Sequence, residues 1–171
     1  MTHVDPTIVR AAHRMFPTGV TVVTAMSPAG PRGLAVNAFS SVSLDPPSVL
    51  VCVSRTSRSC ESLVAADVIG VNLLAATQED VARVFASRES DKFAHISWAP
   101  GPAGAPLLDG TSAHFEIAPT DIAIATTHLV IIGEVVSCAA SDRPPLLYIG
   151  GAFHDTAPFA APPAIKEAST S

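Results

Sequence analysis

A mainly β fold, an antiparallel barrel or sandwich with peripheral helices, is what this sequence predicts. Three observations carry it: about six or seven short apolar runs between Gly-, Pro- and Ser-rich turns, few helical patterns, and no regular alternation of strand with helix. The missing alternation argues against a doubly wound parallel sheet. At 171 residues the chain fits one domain with a sizeable core. No internal repeat or boundary is evident. Residues 1–155 therefore read as one domain, and 156–171, rich in Ala, Pro and Ser, as a flexible tail.

The elements follow in order. Asp5-Pro6 reads as an N-cap with proline at the first helical position, opening a helix to Phe16 that Pro17 stops. Gly19 to Ala25 is a strand and SPAGPRG the turn after it. Leu34 to Ser43 is extended, ending at Asp45-Pro46-Pro47. Ser48 to Ser54 is apolar at alternate and intervening positions, which predicts a strand buried on both faces. A polar loop, 55–59, precedes a short helix over Glu61 to Ala66, and Val68 to Leu74 is the next strand. Thr77-x-x-Asp80 resembles a capping box before a helix from Val81 to Ser87. An irregular stretch, 89–110, then leads to strands over Ser112 to Ala118, Leu129 to Ala139 and Leu146 to Phe153.

Composition narrows the function. Ten basic against fifteen acidic residues give a net charge of −5, with no basic stripe for a nucleic-acid backbone. No apolar run reaches the roughly 18 to 20 residues that span a bilayer. The N-terminus lacks an apolar signal region and carries Asp5 where positive charge would be needed, so a cytoplasmic location is expected. Cys52, Cys60 and Cys138 form no CxxC and read as packing residues in a reducing compartment. Charged residues make up only 15% of the chain, against about a quarter in a typical soluble domain. Either a second copy covers part of the surface, or the composition is simply biased toward Ala and Pro.

Several chemistries lack their signatures. There is no GxGxxG, no GxxxxGK[ST] and no GxSxG. The six histidines are scattered, without HExxH or a nearby cysteine pair, and no metal site is expected. Glu79-Asp80 is the paired carboxylate, and a helix start explains it.

Two stretches are polar where a barrel would be apolar. Asn37-Ala38-Phe39-Ser40-Ser41-Val42-Ser43 sets small side chains beside extended backbone. Such a strand leaves room for a flat ligand to meet main-chain donors and acceptors; a solvent-facing edge strand with outward serines explains the pattern at least as simply. Ser54-Arg55-Thr56-Ser57-Arg58-Ser59 follows the apolar strand and precedes a helix, combining cations, hydroxyls and a helix N-terminus suited to a phosphate. An ordinary solvated turn is the alternative. Taken together, the stretches suit a ligand with a phosphate at one end and a polar planar ring at the other.

These residues also meet a known pattern. Phe16-x-Thr18-Gly19-Val20-Thr21-Val22-Val23-Thr24, the block NAFSSVSLDPPSVLVCVSRTSRS from Asn37 to Ser59, Gly70 to Leu74, Phe85-Ala86, Asp91-Lys92-Phe93, His128 with Gly133-Glu134-Val135, and Pro145 to Tyr148 resemble the flavin reductase-like family. These are the short-chain reductases of two-component flavin monooxygenases, and the likeness runs in order from about residue 10 to residue 153. The resemblance implies an FMN-binding split β-barrel of Greek-key type, a homodimer. It implies FMN or FAD as cofactor, NADH or NADPH as reductant, and a monooxygenase that receives the reduced flavin. By position, it implies that Asn37, Ala38, Ser40, Ser41 and Val42 lie along the flavin ring and ribityl chain, with Cys52, Val53 and Ser54 following from the next strand. Ser57 and Arg58 would hold the phosphate, and Lys92 and Phe93 would close the site. His128 matches a histidine near the nicotinamide, on the wall opposite the flavin residues, and Tyr148 a tyrosine beside the same pocket.

Two departures fall on the nicotinamide side: Thr126-Thr127 precedes His128 where the family carries Gly-Asp, and Ile149-Gly150-Gly151 follows Tyr148 where it carries His-Arg-Gly. A rival reading therefore keeps the fold and makes the protein a binder, or a non-redox catalyst, acting on flavin or an apolar metabolite in a pocket opened by the smaller residues.

Overall fold

The structure is a computed structural model that describes residues 4–156; the expected tail lies, from residue 157 on, outside the described residues. Helix α1 spans Pro6–Arg14, and the Asp5 carboxylate accepts from the Thr7 N–H at 2.7 Å, as the Asp-Pro pair implies. The strands are β1 (Thr18–Gly19), β2 (Thr21–Ser27), β3 (Gly30–Val36), β4 (Phe39–Leu44), β5 (Pro47–Ser54) and β6 (Ile69–Leu73), with α2 (Cys60–Ala65) before β6. Helix α3 (Glu79–Ala86) precedes β7 (Trp98–Pro100), β8 (Pro106–Leu108), β9 (Ala113–Ala125), β10 (His128–Ala140), β11 (Leu146–Ile149) and β12 (Ala152–Asp155).

Seven strands form one antiparallel sheet in the order β3-β2-β6-β9-β10-β5-β4. Within it β6, β9 and β10 are neighbours and β5 returns beside β10, a Greek-key arrangement. The sheet curls into a split barrel around Val23, Val51, Val53, Leu63, Ile69, Val71, Ile117 and Ile131, all without solvent exposure. Phe85 of α3, Leu108 and Leu146 belong to a second cluster on the outer side of β2. Phe93 joins it edge-on to both Phe85 and Trp98, with centroids 5.0 and 5.8 Å away.

A buried polar network docks the β7–β8 hairpin. Asn72 donates to the Val22 carbonyl and Thr24 Oγ1 and accepts from the Leu108 N–H at 2.8 Å. The fully buried Glu116 carboxylate accepts from the N–H groups of Ala103 and Ala105 at 3.0 Å. Satisfying these groups is what permits their burial.

Several expectations are corrected. The extended run 34–43 is two strands: β3 and β4 occupy opposite edges of the sheet, since Val36 pairs with Thr21 whereas Phe39 pairs with Val51. The SPAGPRG turn shrinks to Pro28-Ala29, because residues 30–33 already belong to β3. Strand β5 is buried on one face only: Val49, Val51 and Val53 enter the core, while Leu50, Cys52 and Ser54 are half-buried. Gln78, not Thr77, caps α3, and its side chain is spent on Ala75 N–H and the Asp109 carbonyl. The run 146–153 is a hairpin whose turn residues Gly150 and Gly151 have φ of +66° and +91°, a conformation glycine tolerates without steric cost.

Candidate functional site

The register of β4, β5 and β10 decides which predicted residues share a face. The Cys52 N–H donates to the Ala38 carbonyl at 3.0 Å, Ser40 pairs with Leu50, and Ser54 pairs with His128. Because strand side chains alternate, Ala38, Ser40, Cys52, Ser54 and His128 lie on one face. Ser41 pairs with Val49 and lies on the other, and Val42 is the extra residue of a bulge, half exposed. Val53 has no exposure at all, so its side chain serves the core and leaves only main chain for a ligand. Asn37, exposed, sits in the bend where the chain enters β4.

At the end of β5 this face opens into a cavity of about 730 Å³. Ser54, Ser57, Arg58, Lys92 and Phe93 line it, joined by Arg32 of β3 and by Arg88 and Glu89 after α3. The loop is tied down on three sides. Ser57 N–H donates to the Ser54 carbonyl, Ser59 Oγ donates to the Gly33 carbonyl at 2.8 Å, and Arg55 donates to the carbonyls of Thr126 and Thr127. The expected helix N-terminus contributes less than its sequence promised. Helix α2 is only six residues long, and Ser57 already accepts from the N–H groups of Ser59 and Cys60.

Electrostatics favour an anion here. Burial, and next the Arg58 guanidinium, hold the Lys92 ammonium below its ordinary range, with Glu89 opposing. Lys92 Nζ donates to the Phe85 carbonyl at 2.7 Å, which fixes the ammonium at the cavity wall. The Arg83–Glu79 ion pair lies on α3, outside this cavity, and Glu89 is the carboxylate that lines the cavity with Arg58 and Lys92. Arg32, Arg58, Arg88 and Lys92 outnumber Glu89 around the cavity, and such an excess of cations beside serine hydroxyls fits a phosphate.

The nicotinamide-side residues do not converge in the single chain. His128 is exposed, with Nδ1 2.9 Å from Thr127 Oγ1, and adjoins the flavin-side strand rather than an opposite wall. Tyr148 instead lines a separate cleft of about 500 Å³ between α3 and β12, with Arg83, Gly151 and Phe153. Arg32 and Arg88 were not anticipated; nothing local marks them, because β3 and the end of α3 bring them together from distant parts of the chain.

A split barrel with a hydroxyl- and cation-lined cavity at the end of a polar strand ladder is the kind of β-barrel that suits a phosphate-bearing ligand. Residues 12–157 match the family described as flavin reductase like domain, and the chain belongs to that family. It is 41% identical over 150 residues to the stachydrine N-demethylase reductase subunit Stc3 of Rhizobium meliloti, covering 87% of this chain and 65% of that one. It is 36% identical over 151 residues to the flavin-dependent monooxygenase reductase subunit HsaB of Mycobacterium tuberculosis, covering 86% and 81%. The crystal structure of the Streptomyces globisporus NADH:FAD oxidoreductase SgcE6 with NAD and FAD fragments superposes with a TM-score of 0.86 at 39% identity, over 94% of this chain and 99% of that one. The chain spans 65% and 48% of the lengths of the two rhizobial relatives it matches.

Proposed function

We propose that this protein is an NAD(P)H-dependent flavin reductase that supplies reduced FMN or FAD to a partner monooxygenase. One observation carries the reading: a continuous track runs from Ala38 and Ser40, past Cys52 and Ser54, into a cavity where Arg58 and Lys92, with Arg32 and Arg88, outnumber Glu89. Its strand part suits a flat ring and its cavity part a phosphate. A bound flavin supplies the redox chemistry, accepting a hydride from the reduced nicotinamide, and the protein's share is positioning and electrostatics. Ser57 and Arg58 hold the phosphate, Lys92 adds charge from the cavity wall, and Phe93 backs it. His128, exposed at the end of β10, orients the nicotinamide, and Tyr148 borders the space beyond α3. That the relatives are reductase subunits of monooxygenases supports the same partner class for this chain.

The working unit is a homodimer. Ile8, Met15 and Phe16 near α1, Leu44 at the end of β4 and Ile124 near the tip of β9 are between 63% and 88% exposed in one chain. Exposed apolar surface spread over an edge strand and a helix is what a second copy would cover. Light scattering at micromolar concentration should return twice the chain mass; a monomer with flavin bound contradicts it. A reducing, cytoplasmic setting fits three cysteines that are all free. No helix among the described residues is long and apolar enough to cross a membrane.

The rival, a non-redox binder, drew on Ile149-Gly150-Gly151. Both glycines are used by the hairpin turn, so their presence needs no altered chemistry. Anaerobic mixing of protein, flavin and NADH tests the proposal: flavin should bleach catalytically.

A further inference from the structure

The β9–β10 connection is tight: only Thr126 and Thr127 lie between the paired residues Ala125 and His128. It is also held from outside. Arg55, in the loop after β5, reaches it twice. Its backbone N–H donates to the Thr127 carbonyl and its guanidinium Nη1 to the Thr126 carbonyl, each at 3.0 Å. The same loop brings Ser57 and Arg58 to the cavity and is anchored to β3 by the Ser59 hydroxyl on the Gly33 carbonyl. The turn is thus clasped to the phosphate side of the site. The clasp ends on His128, whose Nδ1 lies 2.9 Å from Thr127 Oγ1. Nε2 has no protein partner among the described residues. One nitrogen of an exposed ring is tied, and the other is left for a ligand. Thr127 stands at one of the two places where the chain departs from its family, so the contact is this chain's own.

A neutral imidazole carries one N–H donor and one bare acceptor nitrogen, and the bond made at one nitrogen decides which is which. The Thr127 hydroxyl proton has no protein acceptor other than Nδ1. Spent there, it leaves the ring proton on Nε2, on the sheet face that carries Ser54. We propose that Thr127 is a positioning residue: its hydroxyl donates to His128 Nδ1, fixes the Nε2–H tautomer and aims that N–H at the carboxamide oxygen of the incoming nicotinamide. Arg55 holds the turn in place for it. The inference rests on the flavin reductase reading for the identity of the ligand, whereas the tautomer can be read without any turnover.

Thr127→Val removes the hydroxyl and keeps the shape of the side chain. With FMN as acceptor it should lower kcat/KM for NADH about fivefold, the effect of one lost orienting hydrogen bond. Thr127 is exposed, so Tm and FMN affinity should stay as in the wild type. Thr127→Ser should restore the rate. In a His128→Ala background Thr127→Val should have no further effect, because Thr127 acts only through the imidazole. Arg55→Met should lower the same quantity about twofold or more, again only when His128 is present. Nitrogen–proton correlation spectra of the His128 ring report the tautomer directly. The wild type should show a bare Nδ1 and a protonated Nε2, and Thr127→Val should shift the Nδ1 resonance. Wild-type kcat/KM in Thr127→Val, an equal loss with and without His128, or a wild-type ring protonated on Nδ1 overturns the proposal. A wild type that shows the Nε2–H ring yet reduces no flavin with NADH or NADPH overturns the reductase reading, and the positioning role with it, while the ring geometry stands.

Discussion

Ser54 and His128 are direct partners in the ladder between β5 and β10, so their side chains stand on one face of the sheet. The exposed imidazole carries little packing, and substitutions at such sites usually change stability by less than about 0.5 kcal/mol. His128→Ala should therefore leave Tm nearly unchanged while lowering kcat/KM for the nicotinamide by about tenfold or more. A fall in Tm with kcat/KM per folded molecule intact would make His128 a structural residue instead.

Arg55 and Arg58 lie in one loop but do different things. Arg55 is committed to the Thr126 carbonyl at 3.0 Å, whereas Arg58 lines the cavity. A charge-assisted phosphate contact contributes about 1.5 to 3 kcal/mol, so Arg58→Ala should weaken flavin binding at least about tenfold, and Arg55→Ala clearly less. Flavin fluorescence quenching measures both; equal and small effects refute the phosphate assignment.

If Lys92 serves the phosphate as proposed, flavin binding should carry a pH dependence with a definite sign. Burial and Arg58 lower its pKa, and a phosphate binds its charged form. Affinity for FMN should thus fall as pH rises through that lowered value, before the ordinary lysine range at 10.5 is reached. Without ligand the sign for folding is opposite: the unfolded chain holds the proton more tightly, so stability rises with pH across the window between the lowered value and 10.5. Riboflavin, lacking the phosphate, should show no such loss of affinity, and Lys92→Met should remove the FMN dependence. An FMN affinity that is flat up to pH 10.5 contradicts the role.

Thr126 occupies the turn between β9 and β10 with φ of +48°, unusual for a β-branched residue. Left-handed backbone costs an L-residue roughly 1 to 2 kcal/mol. Thr126→Gly should relieve most of this and raise unfolding stability by about 1 kcal/mol in denaturant titration, since the Arg55 bond is to main chain and survives. Destabilisation would show that the threonine side chain, not the turn, is what holds the hairpin.

Much of the strand pattern was legible because local chemistry dictated it. The Asp5-Pro6 start of α1 appears where the residues place it, and the strand expected over Ser48 to Ser54 appears one residue longer, from Pro47. The break between β3 and β4 was not legible: Leu34 to Ser43 favours extended backbone throughout, and only pairing with Thr21 on one side and Val51 on the other divides it. The Gly150-Gly151 pair, by contrast, was a readable hairpin signal that the apolar run around it obscured. Within the site, Ser54 to Arg58 are contiguous and so were visible together. Arg32 and Arg88 reach the same cavity through tertiary folding alone.

The central claim is that this chain moves electrons from a reduced nicotinamide to flavin, and anaerobic titration of the protein with oxidised flavin and NADH or NADPH tests it most directly. The account predicts loss of the oxidised flavin's visible absorbance, one flavin reduced per nicotinamide oxidised, with flavin in excess over protein consumed catalytically. Flavin that binds yet stays oxidised with both nicotinamides would contradict it.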